Sequence, residues 1–459
     1  AKSRAEAGIQ DDKLDLLAIL EASHFGADPA LVTPFVHKAE NLLDAARDYM
    51  EAGLWEDALY ALSFADQEHP LVNYYLAYLT KQKTYLQKAE ALPNGYCFPN
   101  SLEDIAVLQY AIDSGEPSAN ACYYLGCLYY DRFRYEDAAQ CFHRCVQQQP
   151  DHGKAWRNLS LYYFDKASMP QEALQAMKKA LEYRPEDPRL LLEYQQLLKN
   201  TNAPIEERLE AYDRYPELLK ERDDCYLDKL TLLSQQGKYE EAIQMAAVKR
   251  FHIYEGGEGK LTKQHAWMHV LYGNELARNG ELAKAEEIYL NGIHMPKSYG
   301  EAKTFFNQEA HIYYCLAKLY EQTEKAEQAQ QAYQKAAEYK AAVSEISLFR
   351  ALALQELGQN EVANQVLEEM LKTADNQITN CDLRTYYGVG SPSPMPFELD
   401  IVKQNLLQGY SLKAFALLGI KDYSGANSCI RKAEELDPHD YRIYTYHQIA
   451  DFTETGFVL

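Results

Sequence analysis

The residues best suited to chemistry lie in one glycine-rich segment, residues 250–260, which reads RFHIYEGGEGK. Glu255 and Glu258 stand three residues apart, and His252 and Tyr254 come shortly before them. Two carboxylates, an imidazole and an aromatic ring could bind a sugar or a cation, or transfer protons. The structural alternative, which we favour, is a tight turn whose carboxylates cap the next helix through its free N–H groups. The sequence leaves both interpretations open.

Elsewhere the chain carries no motif typical of an enzyme. The GGEG segment is followed by no GK[ST], so it is not a phosphate loop, and neither GxSxG nor HExxH occurs. Cys122, Cys127, Cys141, Cys145 and His143 suggest a zinc site, but no CxxC pair occurs and small buried residues suit helix packing better. We therefore predict no catalytic residue, no metal ligand, no cofactor and no enzymatic activity for this chain.

An internal repeat defines the elements that must position these residues. The segment from Ala119 to Pro150 carries Gly126, Ala138 and Phe142 at the spacing of a tetratricopeptide repeat. Gly126 lets two helices approach closely, Ala138 is the small residue that faces it, and Pro150 ends the second helix. The central alanine recurs at Ala58, Ala138, Ala173, Ala242, Ala285, Ala329, Ala363 and Ala426.

The spacing of these alanines predicts the fold class. Two long gaps each hide a degenerate repeat, at residues 71–92 and 188–215, so that about ten helix pairs cover the chain. A single amphipathic pair cannot bury its apolar face alone, so the stacked array is the folding unit. We predict an all-α superhelical solenoid of tetratricopeptide repeats with irregular insertions between repeats.

Insertions and changes of spacing suggest the following organisation. A turn-rich link at residues 93–101 precedes a predicted helix at residues 102–112. The expected segments are an N-terminal helical cap (1–37), a first block of repeats (38–249), a Gly/Glu-rich loop insertion (250–264), a second block of repeats (265–372), a Pro-rich loop insertion (373–400), and a C-terminal repeat with its cap (401–459).

The first helices of two adjacent repeats carry the candidate binding groove. Tetratricopeptide arrays usually bind along the concave face that these helices form, which places Tyr123 and Tyr130 beside Arg157 and Phe164. An aromatic groove of mixed charge suits an apolar helix, a loop or another domain of the same polypeptide. Tyr123 and Cys127 stand where chaperone adaptors of this family carry Lys and Asn, so a chaperone-tail clamp is not expected.

Charge and composition exclude several classes of partner. The net charge is −22, with 68 acidic against 46 basic residues, and this field repels a nucleic acid or an anionic membrane. No run of about 18 apolar residues exists that could span a bilayer. The nine cysteines are odd in number, which favours reduced thiols and a cytoplasmic location.

Beyond the repeat itself, the chain resembles one group of large bacterial proteins. This resemblance spans about residues 95–440 and rests on ordered segments such as FPNSLEDIAVLQYAI (98–112), RDDCYLDKLTLL (222–233), RFHIYEGGEGK (250–260) and YYGVGSPSPMPFELD (386–400). The group joins a mutarotase-like domain of unknown function to a long tetratricopeptide region. The resemblance implies a carbohydrate-utilisation setting, and it implies that the chain is the C-terminal half of such a fusion, which agrees with a start at Ala1 rather than Met.

The sequence thus predicts a non-catalytic scaffold for protein–protein or intramolecular domain–domain interaction. The alternative is the helical part of a carbohydrate-binding or carbohydrate-active protein, whose EGGEG loop contributes His252, Tyr254, Glu255 and Glu258 to the sugar site. Self-association through the end repeats is compatible with either hypothesis.

Overall fold

The structure is a computed structural model that describes residues 13–26, 28–35, 39–252, 257, 259–300, 309–383 and 396–455, apart from the side chains of residues 13–15, 33–35 and 452–455. Every regular element in these ranges is helical, and none is a strand. The chain divides into two compact units, Ala1–Pro185 (unit 1) and Glu186–Leu459 (unit 2). The all-α prediction is therefore confirmed.

Unit 1 is built from four helical hairpins and two helices outside them. Its helices are α1 (Lys13–His24), α2 (Ala39–Glu51), α3 (Trp55–Leu62), α4 (Pro70–Thr80), α5 (Lys83–Ala91), α6 (Leu102–Asp113), α7 (Ala119–Asp131), α8 (Tyr135–Gln148), α9 (Gly153–Asp165) and α10 (Pro170–Tyr183), with a 3-10 turn at Pro29–Phe35. Four hairpins pair consecutive helices: α2–α3, α4–α5, α7–α8 and α9–α10. Outside these hairpins, α1 packs against α2, and the additional helix α6 packs against α4 and α7.

Unit 2 continues the same pattern with its own apolar core. Its helices are α11 (Pro188–Asn200), α12 (Ile205–Arg214), α13 (Pro216–Glu221), α14 (Asp223–Gln235), α15 (Tyr239–Val248), α16 (Lys260–Arg278), α17 (Leu282–Ile293), α18 (Ala310–Gln322), α19 (Ala326–Ala337), α20 (Ser347–Glu356), α21 (Asn360–Thr379), α22 (Ile401–Gly419), α23 (Tyr423–Leu436) and α24 (Tyr441–Thr455), with a 3-10 turn at Lys297–Tyr299. Six hairpins result: α11–α12, α14–α15, α16–α17, α18–α19, α20–α21 and α22–α23. Together with the four of unit 1, they account for the predicted ten helix pairs in the described part of the chain.

The predicted packing residues of the hairpins are buried. All eight central alanines lie in the core, none more than 3% exposed. A Cβ added to Gly126 would lie 2.6 Å from Cε1 of Phe142, so only glycine lets α7 and α8 approach this closely. The prediction that a small residue is needed at both positions is confirmed.

The observed helices can be compared with the predicted degenerate repeats and with the predicted bounds of two insertions. The hairpins α4–α5 and α11–α12 occupy the gaps in which degenerate repeats were expected. By contrast, residues 260–264 and 373–379 are helical, although they fall within the predicted insertions. Each of these extra turns buries an apolar side chain, Leu261 in α16 and Ala374 in α21, so the apolar face of the helix extends further than the repeat pattern indicates.

A buried polar network anchors the additional helix α6. Ser101 forms a capping box with Asp104: its side chain accepts from the Asp104 backbone N–H, and the Asp104 carboxylate accepts from the Ser101 backbone N–H. The same carboxylate accepts from the Arg47 guanidinium at 3.0 Å and from the Tyr75 hydroxyl at 2.6 Å. Thus α6 is tied to α2 and α4, the first helices of two earlier hairpins.

Candidate functional site

The four groove residues predicted in unit 1 lie on the first helices of two adjacent hairpins. Tyr123 and Tyr130 belong to α7, and Arg157 and Phe164 belong to α9. All four side chains are partly buried and partly exposed. The face on which they lie is called the α7–α9 face below.

Side chains of the two helices meet directly on the α7–α9 face. The Asn158 amide of α9 lies 3.4 Å from the Cys127 sulfur of α7, within hydrogen-bonding distance. At one end the Tyr123 ring lies 4.8 Å from the His152 ring, and at the other the Tyr130 ring lies 5.0 Å from the Tyr135 ring. The face therefore presents aromatic rings along its length.

The link before α6 reaches this face and contributes polar groups to it. Lys154 Nζ donates to the backbone oxygen of Asn94 at 2.8 Å and to its side-chain oxygen at 2.9 Å. The Asn94 amide nitrogen lies 2.8 Å from His152 Nε2 and donates to the Asn120 side-chain oxygen at 3.2 Å. Asn94 thus joins the N-terminal ends of α7 and α9.

Positive charge collects beside these groups although the chain as a whole is strongly acidic. Burial, assisted by the nearby Arg184 charge, lowers the pKa of Lys154 below its ordinary value. Burial also lowers the pKa of His152 to about 4, and the Lys154 and Arg184 charges act in the same direction. Burial raises the pKa of Tyr123, whereas Arg157 and Arg184 oppose that rise. Arg184 thus lies near both Tyr123 and His152, with Arg157 near Tyr123 and Lys154 near His152, whereas the Asp151 charge acts on His152 in the opposite direction. These three cations are called the cationic cluster below.

Two residues of this site, Asn94 and Arg184, were missed by sequence reasoning. Asn94 lies in the inserted link, and Arg184 follows the end of α10 as its C-cap. The link was recognised as an insertion, which was the available signal for Asn94. Arg184 does not occupy a position that the repeat pattern assigns to the groove, so no signal in the sequence pointed to it.

The second predicted site is only partly described. Tyr254, Glu255 and Glu258 lie outside the described residues, so neither the sugar-site hypothesis nor the capping hypothesis is tested there. The His252 side chain is 80% exposed, and Asp223 holds this residue through the His252 backbone N–H at 2.6 Å. The helix that follows begins at Lys260, with Gly259 as its N-cap at a φ of 74°.

In unit 2 the equivalent face of two first helices meets α24 and the turn that precedes it. Gln235 of α14 and Arg278 of α16 each stand seven residues before the central alanine of their hairpins. The Gln235 amide donates to the backbone oxygen of His439 at 2.7 Å, and the Arg278 guanidinium donates to the backbone oxygen of Gln448 at 3.1 Å. The sequence predicted α24 as a terminal cap and did not indicate this contact.

Family models agree with the observed hairpins. One model for the tetratricopeptide repeat matches residues 119–152, and a second matches residues 310–342. The chain contains tetratricopeptide repeats. The first match coincides with the hairpin α7–α8, which provides one half of the α7–α9 face, and the second with the hairpin α18–α19.

One curated relative and several solved structures are similar to parts of this chain. The tetratricopeptide repeat-containing protein trd-1 of Caenorhabditis elegans is 34% identical over 107 residues, which is 23% of this chain and 14% of that protein, so the chain matches far less than two thirds of the relative's length. The crystal structure of MamA is 24% identical and covers 34% of this chain and 84% of its own, with a TM-score of 0.20. The structure of Naa15/Naa10 bound to HypK-THB is 13% identical and covers 91% of this chain and 68% of its own, with a TM-score of 0.32. These values are too low for the structural likeness to bear on function.

A metal site, a reactive thiol and a membrane-spanning helix each require particular residues in a particular arrangement. No group of three or more His, Cys, Asp or Glu side chains in the described ranges is arranged to hold a metal ion. Cys145 is fully buried, and burial raises the pKa of Cys122 to about 11 and that of Cys141 to about 12, as expected of thiols that serve in packing. No helix in the described ranges has the length and apolar character needed to cross a membrane.

Proposed function

We propose that this chain is a non-catalytic scaffold that binds a segment of another protein along the α7–α9 face. Tetratricopeptide repeats commonly bind protein segments on the first helices of their hairpins. On this face the aromatic rings of Tyr123, Tyr130 and Phe164 offer rigid apolar contact area, which suits side chains that anchor a peptide or helix.

The observation that carries the proposal is the cationic cluster on an acidic protein. Arg184 influences both Tyr123 and His152, Arg157 influences Tyr123, and Lys154 influences His152. Apart from burial, the influences on the pKa of Lys154 are Arg184 and the Cys127 thiol, neither of which is a carboxylate. A partner segment that brings its own carboxylates would form charge-assisted hydrogen bonds with this cluster.

The partner that fits best is therefore an acidic segment with bulky apolar side chains. Its carboxylates would face Lys154 and Arg157, and its apolar side chains would lie against Tyr130 and Phe164. The segment belongs to a separate protein or to another domain of the same polypeptide, since the chemistry of recognition is the same for both.

The test is site-specific photo-crosslinking in the native cell. A benzophenone amino acid replaces Tyr130 or Phe164, and a matched control replaces Tyr183, which is 39% exposed on α10. We expect a discrete protein adduct at the first two positions and none at Tyr183, with masses that identify the partner.

A charge-reversed variant makes the test specific to the proposed chemistry. Lys154→Glu with Arg157→Glu places like charges against the acidic segment, which costs several kcal/mol, so the adduct should fall by about tenfold or more. Adducts of equal yield at Tyr183, an absence of adducts at both face positions, or an adduct unaffected by charge reversal would each contradict the proposal.

A further inference from the structure

The link before α6 is attached to unit 1 at its start, its middle and its end. Near its start, Asn94 accepts from Lys154 Nζ through its backbone oxygen at 2.8 Å and its side-chain oxygen at 2.9 Å. In its middle, Cys97 is 7% exposed and belongs to the apolar core of unit 1. Near its end, the backbone oxygen of Asn100 accepts from Arg132 Nη2 at 2.5 Å. These contacts hold the backbone of the link in one path.

Large apolar side chains on either side of the buried Cys97 are nevertheless exposed. Tyr96 is 91% exposed and Phe98 67%, and Leu102, the first residue of α6, is 79% exposed. The backbone of Tyr96 has a φ of 51°, in the left-handed region that is unfavourable for a bulky residue. Because the ring is exposed, packing within the chain does not compensate for this conformation. Exposed apolar groups on a firmly held backbone are typical of an interaction site.

A cleft of about 280 Å³ opens beside Tyr96, where separate segments of the chain meet. The turn between α3 and α4 contributes Asp66, Glu68 and His69, and the link contributes Pro93 and Tyr96. The first residues of α2 and α4 complete the lining. Since its walls come from different segments, the cleft is concave and can enclose a side chain of a partner.

The charges around this cleft are mainly negative. The Asp66 carboxylate accepts from the Glu68 backbone N–H at 2.9 Å and forms no ion pair in the described part of the chain. Glu68 lies 3.5 Å from Lys88 Nζ in an exposed pair, and the Glu40 carboxylate lies 3.2 Å from His69 Nε2. The N-terminus of α4 adds a partial positive charge of about half a unit. Three carboxylates outweigh Lys88 and this helix terminus together, so the cleft favours a cation.

We propose that Tyr96, Phe98 and the adjoining cleft form a second protein-binding surface, called the link surface below, and that it binds a partner segment in which an arginine stands beside bulky apolar side chains. A guanidinium group is planar, so it can stack on the exposed Tyr96 ring while it donates to the Asp66 or Glu68 carboxylate. Apolar side chains next to the arginine would cover Phe98 and Leu102. Charge and apolar surface are thus both matched by one segment.

The link surface differs from the α7–α9 face in the charge of the segment that it selects. The α7–α9 face suits an acidic segment, whereas the link surface suits a basic one. The two surfaces share the link, since Asn94 contacts Lys154 and Tyr96 lines the cleft. The inference depends only on the link and its cleft, so it stands even if no acidic segment binds the α7–α9 face.

The test uses a fluorescein-labelled peptide of the sequence Gly-Leu-Arg-Trp-Arg-Leu-Gly and measures its binding to the full chain by fluorescence anisotropy. Its counterpart carries Glu in place of both Arg residues and should bind at least about tenfold more weakly. We expect Tyr96→Ala with Phe98→Ala to weaken binding of the arginine peptide by about tenfold, and Asp66→Asn with Glu68→Gln to do the same. Tyr96→Phe keeps the aromatic face and should retain most of the affinity.

Matched variants separate a specific surface from general attraction to an acidic protein. Glu136→Gln with Glu182→Gln removes two exposed carboxylates of unit 1 outside the cleft and should leave the affinity unchanged. Arg157→Ala, on the α7–α9 face, should not weaken binding either. Circular dichroism of each variant checks that the helices are intact.

Four results would overturn the proposal. The first is no binding of the arginine peptide to the folded chain. The second is equal binding of the arginine and glutamate peptides. The third is an equal loss of affinity in the cleft variant and in the Glu136 and Glu182 variant, which would indicate attraction to the net charge alone. The fourth is a concentration-dependent dimer in light scattering that Tyr96→Ala abolishes, which would assign the link surface to a second copy of the chain.

Discussion

Replacing Asp104 by Ala tests whether the buried ion pair holds α6 in place. Arg47 is 5% exposed and Asp104 is fully buried. The Asp104 carboxylate accepts from Arg47 Nη2 at 3.0 Å, from the Tyr75 hydroxyl at 2.6 Å and from the Asn100 backbone N–H at 2.7 Å. After the substitution the only ion pair of Arg47 in the described residues is with Asp44 at 2.7 Å.

The expected cost follows from these contacts. Breaking a buried ion pair by removing one partner costs about 3–5 kcal/mol, because the remaining charge stays buried without compensation. Losing the capping carboxylate of α6 adds about 1 kcal/mol. We expect Asp104→Ala to lower the free energy of local opening of residues 102–113 by about 4–6 kcal/mol.

Native-state amide exchange of α6 measures this free energy directly. The matched control is Asp113→Ala at the exposed C-terminal end of the same helix, where we expect a change within about 0.5 kcal/mol. Adding Arg47→Met to Asp104→Ala removes the stranded charge and should recover part of the loss. A change below about 1 kcal/mol for Asp104→Ala, or no recovery in the double variant, would refute the reasoning.

Two further predictions concern stability. Gly126→Ala places a Cβ against the fully buried ring of Phe142 and should lower the free energy of unfolding, measured in urea, by about 1–3 kcal/mol. The control is Gly95→Ala, whose added Cβ meets no atom within 4 Å. Equal stability of the two variants would contradict the packing argument. Burial lowers the pKa of His311 to about 3, so the imidazole stays neutral in the folded state. In the unfolded state it takes up a proton near pH 6.5. The free energy of unfolding therefore falls as the pH drops below about 6.5. Between pH 7 and pH 5 this group alone should lower the free energy of unfolding by about 2 kcal/mol. His311→Leu should therefore make the urea midpoint less dependent on pH. An unchanged pH dependence in this variant would contradict the prediction.

Local features of the fold were predictable because short-range patterns specify them. The central alanine marks a close helix–helix contact, and it is buried in all eight repeats that carry it, from Ala58 to Ala426. The helix of residues 102–112 was also predicted, and Leu102–Asp113 is observed. Its attachment to Arg47 and Tyr75 was not predicted, because nothing in the local sequence says which distant side chain pairs with a carboxylate.

In the candidate site, too, some residues follow from the repeat pattern and others only from tertiary packing. Repeat register predicts that Tyr123, Tyr130, Arg157 and Phe164 share a face, and this assignment stays a prediction. Arg184 joins the site from the end of another helix, and its position depends on how α10 packs against α9.

By itself the sequence determined that the chain is an array of helical hairpins of the tetratricopeptide kind, since each hairpin is specified by spacings within some 35 residues. Only the tertiary structure decided which side chains from different hairpins meet. The cationic cluster in unit 1 and the seating of α24 in unit 2 both depend on contacts between residues far apart in the chain. Such contacts follow from how successive hairpins stack, and small rotations between repeats accumulate in ways that no local pattern records.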